Sequence, residues 1–257
     1  MTVCILVIGK HTPQFEFLHI LLTDEAPLHP SVRLYQRLLA FDHDEAMTVA
    51  HGALKQQNLR EVYQTLILPV LSMIQQDAGR GNLTRHLEKH LLEFVGTLIE
   101  KLAEHAASDS EESRLNEKTE GVGENNQESQ KSGYVGYNGP PVILVPSHDF
   151  SDELANKMLA ILLNQVGVKA EIISSRSFAG EMVEIIRGLL KEEVGDGDTL
   201  FISALDRSAG THAGYICKHL HKNFPAAKLI LGTWDAQSEL LRYFGRKKLK
   251  WKRIEFG

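Results

Sequence analysis

The chain has 257 residues, 43% of them hydrophobic and 24% charged, enough for one large core or two modest ones. A formal charge of −5 gives no global reason to expect nucleic acid, although basic residues cluster near the C-terminus. Cys4 and Cys217 are too few for a disulfide framework and do not resemble a metal module, so a reducing, cytoplasmic setting is expected.

The first apolar run, Val3 to Gly9, is followed by Lys10 and His11 and has neither a basic leader nor a small-residue cleavage pattern. It is shorter than the roughly 20 residues that span a bilayer. It reads either as a buried strand or packing segment, or as the end of a membrane helix. A short helix with Phe15, Phe17, Leu18, Ile20 and Leu21 should stop at the turn containing Asp24, Glu25, Pro27 and Pro30.

Four amphipathic helices follow. The first opens near Pro30 and carries Val32, Leu34, Tyr35, Leu38 and Leu39. Asp42 or Asp44 can cap the second, with Ala46, Val49, Ala50, Ala53 and Leu54 on one face. Asn58 can cap the third, which runs through Leu59, Val62, Tyr63, Leu66, Ile67, Val70, Leu71 and Ile74 to Gly79 or Gly81. Pro69 removes a backbone donor inside it and should kink it. The fourth opens after Asn82 and carries Leu83, Leu87, Leu91, Phe94, Val95, Leu98 and Leu102. Short turns between them predict a four-helix bundle over residues 31–107, behind a membrane-proximal segment 1–30. Ser, Glu, Asn, Gln, Lys and Gly dominate residues 108–139, which are expected to form a disordered, flexible linker.

Residues 140–257 alternate strands and helices. Val142 to Val145 is an apolar strand opened by two prolines, Ser147 to Asp152 a polar turn, and Leu154, Met158, Leu159, Ile161 and Leu162 mark a helix ended by Gly167. Val168 to Ile173 is the second strand. Ser177 can cap a helix with Met182, Val183, Ile185, Ile186, Leu189 and Leu190. Thr199 to Ser203 is the third strand. The loop Ala204 to Thr211 leads to a helix with Ala213, Ile216, Cys217 and Leu220, ended by Pro225. Lys228 to Thr233 is the fourth strand, Ala236 to Phe244 a short helix and Lys250 to Phe256 an edge strand. This order predicts an α/β domain with a doubly wound, flavodoxin-like (Rossmann-like) parallel sheet. Its ligand crevice would lie where the first and third strands end. That places Ser147, His148 and Asp149 opposite Leu205, Asp206, Arg207 and Ser208.

A helical bundle followed by such a domain resembles cobalamin-binding modules. Their Asp-x-His-x-x-Gly motif supplies a lower cobalt ligand; here His148 follows the first strand, but Pro146 holds the acidic position and Ser151 the glycine position. Ser203-Ala-Leu205 matches their Ser-x-Leu, and Gly232-Thr233 keeps half of their glycine pair. The resemblance implies a retained fold with the cofactor lost: no cofactor is expected, with cobalamin as the alternative. A second resemblance rests on residues 2–18, Leu21-Leu-Thr-Asp-Glu25 and Leu34-Tyr-Gln-Arg-Leu-Leu-Ala40. These look like the segment after the last membrane helix in long autoinducer-2 exporter family permeases. It implies that Val3 to Gly9 ends a membrane helix and that the chain is a detached or truncated cytosolic part. The partner would be a membrane permease or the membrane surface, at the inner face of the cytoplasmic membrane.

The candidate ligand-binding residues are Ser147, His148, Asp149, Ser203, Asp206, Ser208 and His212. His148 and Asp149 at a strand end could act as a ligand or an acid-base pair, or simply as turn and cap residues. Asp206, Ser208, Thr211 and His212 could meet an anion at a helix N-terminus, but Gly210 is the lone glycine of a loop without a phosphate-binding pattern. His86 and His90 have zinc-compatible spacing but no His-Glu-x-x-His sequence, and read as an exposed polar face. Cys217 and His221 share that spacing, with Cys217 on the apolar face. No complete catalytic motif occurs, so the chain is read as non-enzymatic. Arg246, Lys247, Lys248 and Trp251 form a basic-aromatic cluster, either solvated or in contact with anionic lipid. Nucleic acid is not expected as a partner; a small-molecule ligand belongs to the alternative reading, a sensor of the cobalamin-module type.

Overall fold

A computed structural model describes residues 29–120, 139–177, 179–190, 197–205, 209–234 and 252–255. Helix α1 (Pro30–Leu39) starts at a proline, where a missing N–H is no loss, and His29 Nδ1 accepts the Ser31 N–H at 3.4 Å. Helix α2 (His43–Leu54) is capped by Asp42, whose Oδ1 accepts the Glu45 N–H at 3.2 Å, which decides between the two aspartates. Asn58 and Glu61 form a reciprocal capping box at α3 (Leu59–Val62). The chain then runs through a π-helical turn, Tyr63–Ile67, into α4 (Leu68–Gly79). This turn stands where Pro69 was expected to disturb the helix: the Leu68 N–H bonds to the Tyr63 carbonyl five residues back.

Helix α5 (Arg85–Glu120) is the longest described element. It opens at Thr84, whose Oγ1 accepts the Leu87 N–H at 3.2 Å, while Asn82 instead donates to Asp77 at 3.0 Å. Its backbone continues past Leu102, its last buried side chain among those described, and through residues 108–120, so the first part of the stretch expected as a disordered linker is helical. Extending a formed helix adds one hydrogen bond per residue without a new nucleus, so a polar tail can follow an anchored stem.

The described strands form a five-stranded parallel sheet, in the order β2-β1-β3-β4-β5. They are β1 (Val142–Pro146), β2 (Ala170–Ile172), β3 (Thr199–Ala204), β4 (Lys228–Thr233) and β5 (Lys252–Glu255). Between them run α6 (Phe150–Gln165), α7 (Ala179–Leu189) and α8 (Ala209–Asn223). Gly167, at φ 79°, ends α6, with the Val168 N–H bonded to the Leu163 carbonyl at 3.0 Å. The segments expected at Val3 to Gly9, residues 12–28 and Ala236 to Phe244 lie outside the described residues, as do residues 121–138.

Alternation along the strands divides the core. Ile143, Val145, Leu200, Ile202, Leu229 and Leu231 pack with α7 and α8, whereas Leu144, Phe201 and Ile230 face Leu159, Ala160 and Leu163 of α6. The other side of α6 carries Leu154, Ala155 and Met158 into the core of helices α1 to α5, together with Leu205. Helix α6 is thus buried on both sides. Among the described residues, no helix is long and apolar enough to cross a membrane.

Candidate functional site

Strands β1 and β3 are neighbours, and their connections leave to opposite faces of the sheet, so a crevice is expected where both end. The Ser147 N–H extends the ladder by bonding to the Ser203 carbonyl at 2.9 Å. Helix α6 then begins at Phe150, inside the stretch expected to be turn, because Asp149 caps it: its Oδ1 accepts the Ser151 N–H at 2.9 Å and the Asp152 N–H at 3.2 Å. Gln75 of α4 reaches across and donates to Asp149 Oδ2 at 3.1 Å, tying the helical layer to this turn.

Asp152, at 1% exposure, is the centre of the arrangement. Its Oδ2 accepts the Ser147 hydroxyl at 2.7 Å and the His148 N–H at 2.9 Å, and its Oδ1 accepts the Leu205 N–H at 2.7 Å. One carboxylate therefore joins the ends of β1 and β3 to the first turn of α6. Burial, and then the nearby Asp149 charge, push its pKa up to about 6, against the opposing pull of the three hydrogen bonds. The buried Ser203 hydroxyl accepts the Trp234 indole N–H at 2.6 Å. At the rim, the exposed His148 ring stacks on His212 with centroids 4.1 Å apart and planes 18° from parallel.

Of the residues expected from sequence, Ser147, His148, Asp149, Ser203 and His212 converge here. Asp206, Ser208, Arg246, Lys247, Lys248 and Trp251 lie outside the described residues or their described side chains. Asp152, Gln75 and Trp234 were missed. Asp152 carried a faint signal, since a carboxylate three residues beyond a cap can turn back toward the preceding chain; Gln75 and Trp234 carried none.

Among the described residues, clefts also lie away from this crevice. One, of about 380 Å³, runs between α5 and α6 beside the end of β2 and is lined by Glu93, Gly96, Glu100, Glu153, Lys157 and Ile172, among others. The second, of about 520 Å³, lies among α1, α2 and the π-helical turn. His90 sits beside His43 and Phe41 in an aromatic cluster, and the Cys217 thiol is buried, which pushes its pKa up. Among the described residues, no group of three or more His, Cys, Asp or Glu side chains could hold a metal ion. No model of a known protein family matches the chain, and no curated protein matches it either.

Proposed function

We propose that the chain is a non-enzymatic regulatory or interaction module associated with a membrane permease of the autoinducer-2 exporter family, at the cytoplasmic face of the membrane. The observation that carries the non-enzymatic part is the occupancy of Asp152: both carboxylate oxygens are taken by protein donors from three segments. A carboxylate held in this way, at 1% exposure, fixes the shape of the crevice and is not presented to a substrate. The permease part rests on the resemblance over residues 2–40, whose last stretch lies on α1, with Leu34, Tyr35 and Leu38 buried. On this reading α1, α2, α3 through α4, and α5 are the helices of a four-helix bundle, and the sheet is of the flavodoxin type. Fractionation of cells carrying both proteins tests the proposal: the chain should sediment with membranes and capture the permease. A chain that stays in the supernatant and captures no membrane protein would refute it.

A second reading, a small-molecule sensor of the cobalamin-module type, is favoured by the cleft of about 380 Å³ between α5 and α6. The residues present do not fit cobalamin itself. The open side of Gly232 is filled by the Phe201 ring, 2.1 Å from where a Cβ would sit. Pro146 replaces the acidic residue, and His148 is stacked on His212. A ligand on this reading would be smaller. Spectral change or thermal stabilisation on adding cobalamins would reverse this judgement.

A further inference from the structure

Helix α8 presents two opposite faces. Ala213, Ile216, Cys217 and Leu220 are buried against the sheet. His212, Tyr215, Lys218, His219 and Lys222 recur at three- and four-residue steps and lie on the other face. Tyr215 is 57% exposed, the two lysines and His212 are exposed and His219 is half-buried. From Ala209 to Asn223 there is no Asp or Glu, although the whole chain is acidic. Ring stacking orders the strip: His148 lies on His212 at 4.1 Å, and Tyr215 lies 5.9 Å from His219 with planes 15° from parallel. On the adjacent α7, Glu184 is bonded to Arg187 at 2.8 Å, and Glu181 is exposed in the first turn.

We infer that this face of α8 docks on an anionic lipid surface. The inference deepens the membrane-associated reading above and rests on it. Charge complementarity selects the class of partner: lysines beside an exposed tyrosine, with no carboxylate on the same helix, suit headgroups bearing phosphate and carboxylate. Shape selects among anionic partners, because a convex helix face lies flat on a plane, whereas single-stranded nucleic acid is held in a groove that tracks its backbone. The tyrosine ring would sit at headgroup level, with the phenol in contact with water and the ring edge against acyl chains. Each lysine near such a surface strengthens binding about fivefold.

Sedimentation of the full chain with vesicles of phosphatidylcholine containing 30% phosphatidylserine, and with pure phosphatidylcholine, provides the test. Binding is expected to the first and not the second, to weaken about fivefold in Lys218→Gln and again in Lys222→Gln, and to fall in Tyr215→Ala. All three positions are exposed, and unchanged thermal unfolding of each variant separates loss of docking from loss of fold. Equal binding to both vesicles, no binding, or binding that ignores these substitutions would overturn the inference. So would capture of single-stranded RNA through the same residues without vesicle binding. The vesicles contain no permease, so failure here is distinct from failure of the permease capture experiment.

Discussion

Asp152 holds its proton more tightly in the folded protein than in the unfolded chain, because burial outweighs three hydrogen bonds that favour the charge. A folded value of about 6 against 3.8 means that the stabilisation linked to the proton is complete below the lower figure and is lost as pH rises through the higher one. Urea unfolding at pH 7.5 and pH 5 should show the native protein gaining on the order of 1 kcal/mol at the lower pH relative to Asp152→Asn. The variant should also be less stable at both pH values, by about 1–3 kcal/mol, since an amide nitrogen would then face the Ser147 hydroxyl and the His148 N–H. Identical pH dependence in the two proteins would refute the assignment. One turn along, Asn156 is fully buried and neither end of its amide has a protein partner. Burying an unpaired amide is unfavourable, so Asn156→Leu, which keeps the branched skeleton at the cost of some added bulk, should raise stability by about 1 kcal/mol in thermal or urea unfolding.

The pairing of β3 with β4 depends on a missing side chain. Gly232 lies opposite Ser203, and the Phe201 ring, one pleat away on the same face, covers it so closely that a Cβ would overlap it at 2.1 Å. Gly232→Ala should therefore cost about 1–3 kcal/mol by overpacking. Phe201→Leu combined with Gly232→Ala should recover part of that loss, so the two changes will not add in unfolding measurements. Sequence makes β1, β3 and β4 legible because each is a continuous apolar run, as strands covered on both faces must be. Helix α6 starts three residues before the expected turn ends, because Asp149 and Asp152 both read as turn residues; the reading of Asp149 as a cap is the one the structure shows, and only the tertiary fold shows that Asp152 is drawn inward. Most first-turn carboxylates face water; Asp152 is buried because Leu205, 53 residues later, brings an N–H to it. The same holds for Gln75, whose partner Asp149 lies 74 residues away. Long-range partners of this kind leave no local pattern in sequence.

Helix α6 belongs to both halves of the molecule, and this governs how the chain should unfold. Its inner side carries Leu159, Ala160 and Leu163 against the sheet, and its outer side carries Leu154, Ala155 and Met158 into the helical core. At Gly96 of α5 the two helices approach closely, a Cβ there meeting the Leu154 side chain at 3.2 Å. Lys157 bonds Glu100 at 2.5 Å, an exposed pair that adds little, so the apolar contact dominates. Each large side chain buried in that seam stabilises the assembly by about 1.5–3 kcal/mol. Residues 139–257 expressed alone would present Leu154, Met158 and Leu205 to water as one patch, which favours self-association. The full chain should accordingly unfold in one cooperative transition, with far-UV circular dichroism and tryptophan fluorescence superimposing. The fragment 139–257 should aggregate or melt at lower temperature, and adding residues 29–120 should restore a sharp transition. A fragment 139–257 that is monomeric and melts with the full chain would show instead that the α6 seam is a weak contact between two independently stable units.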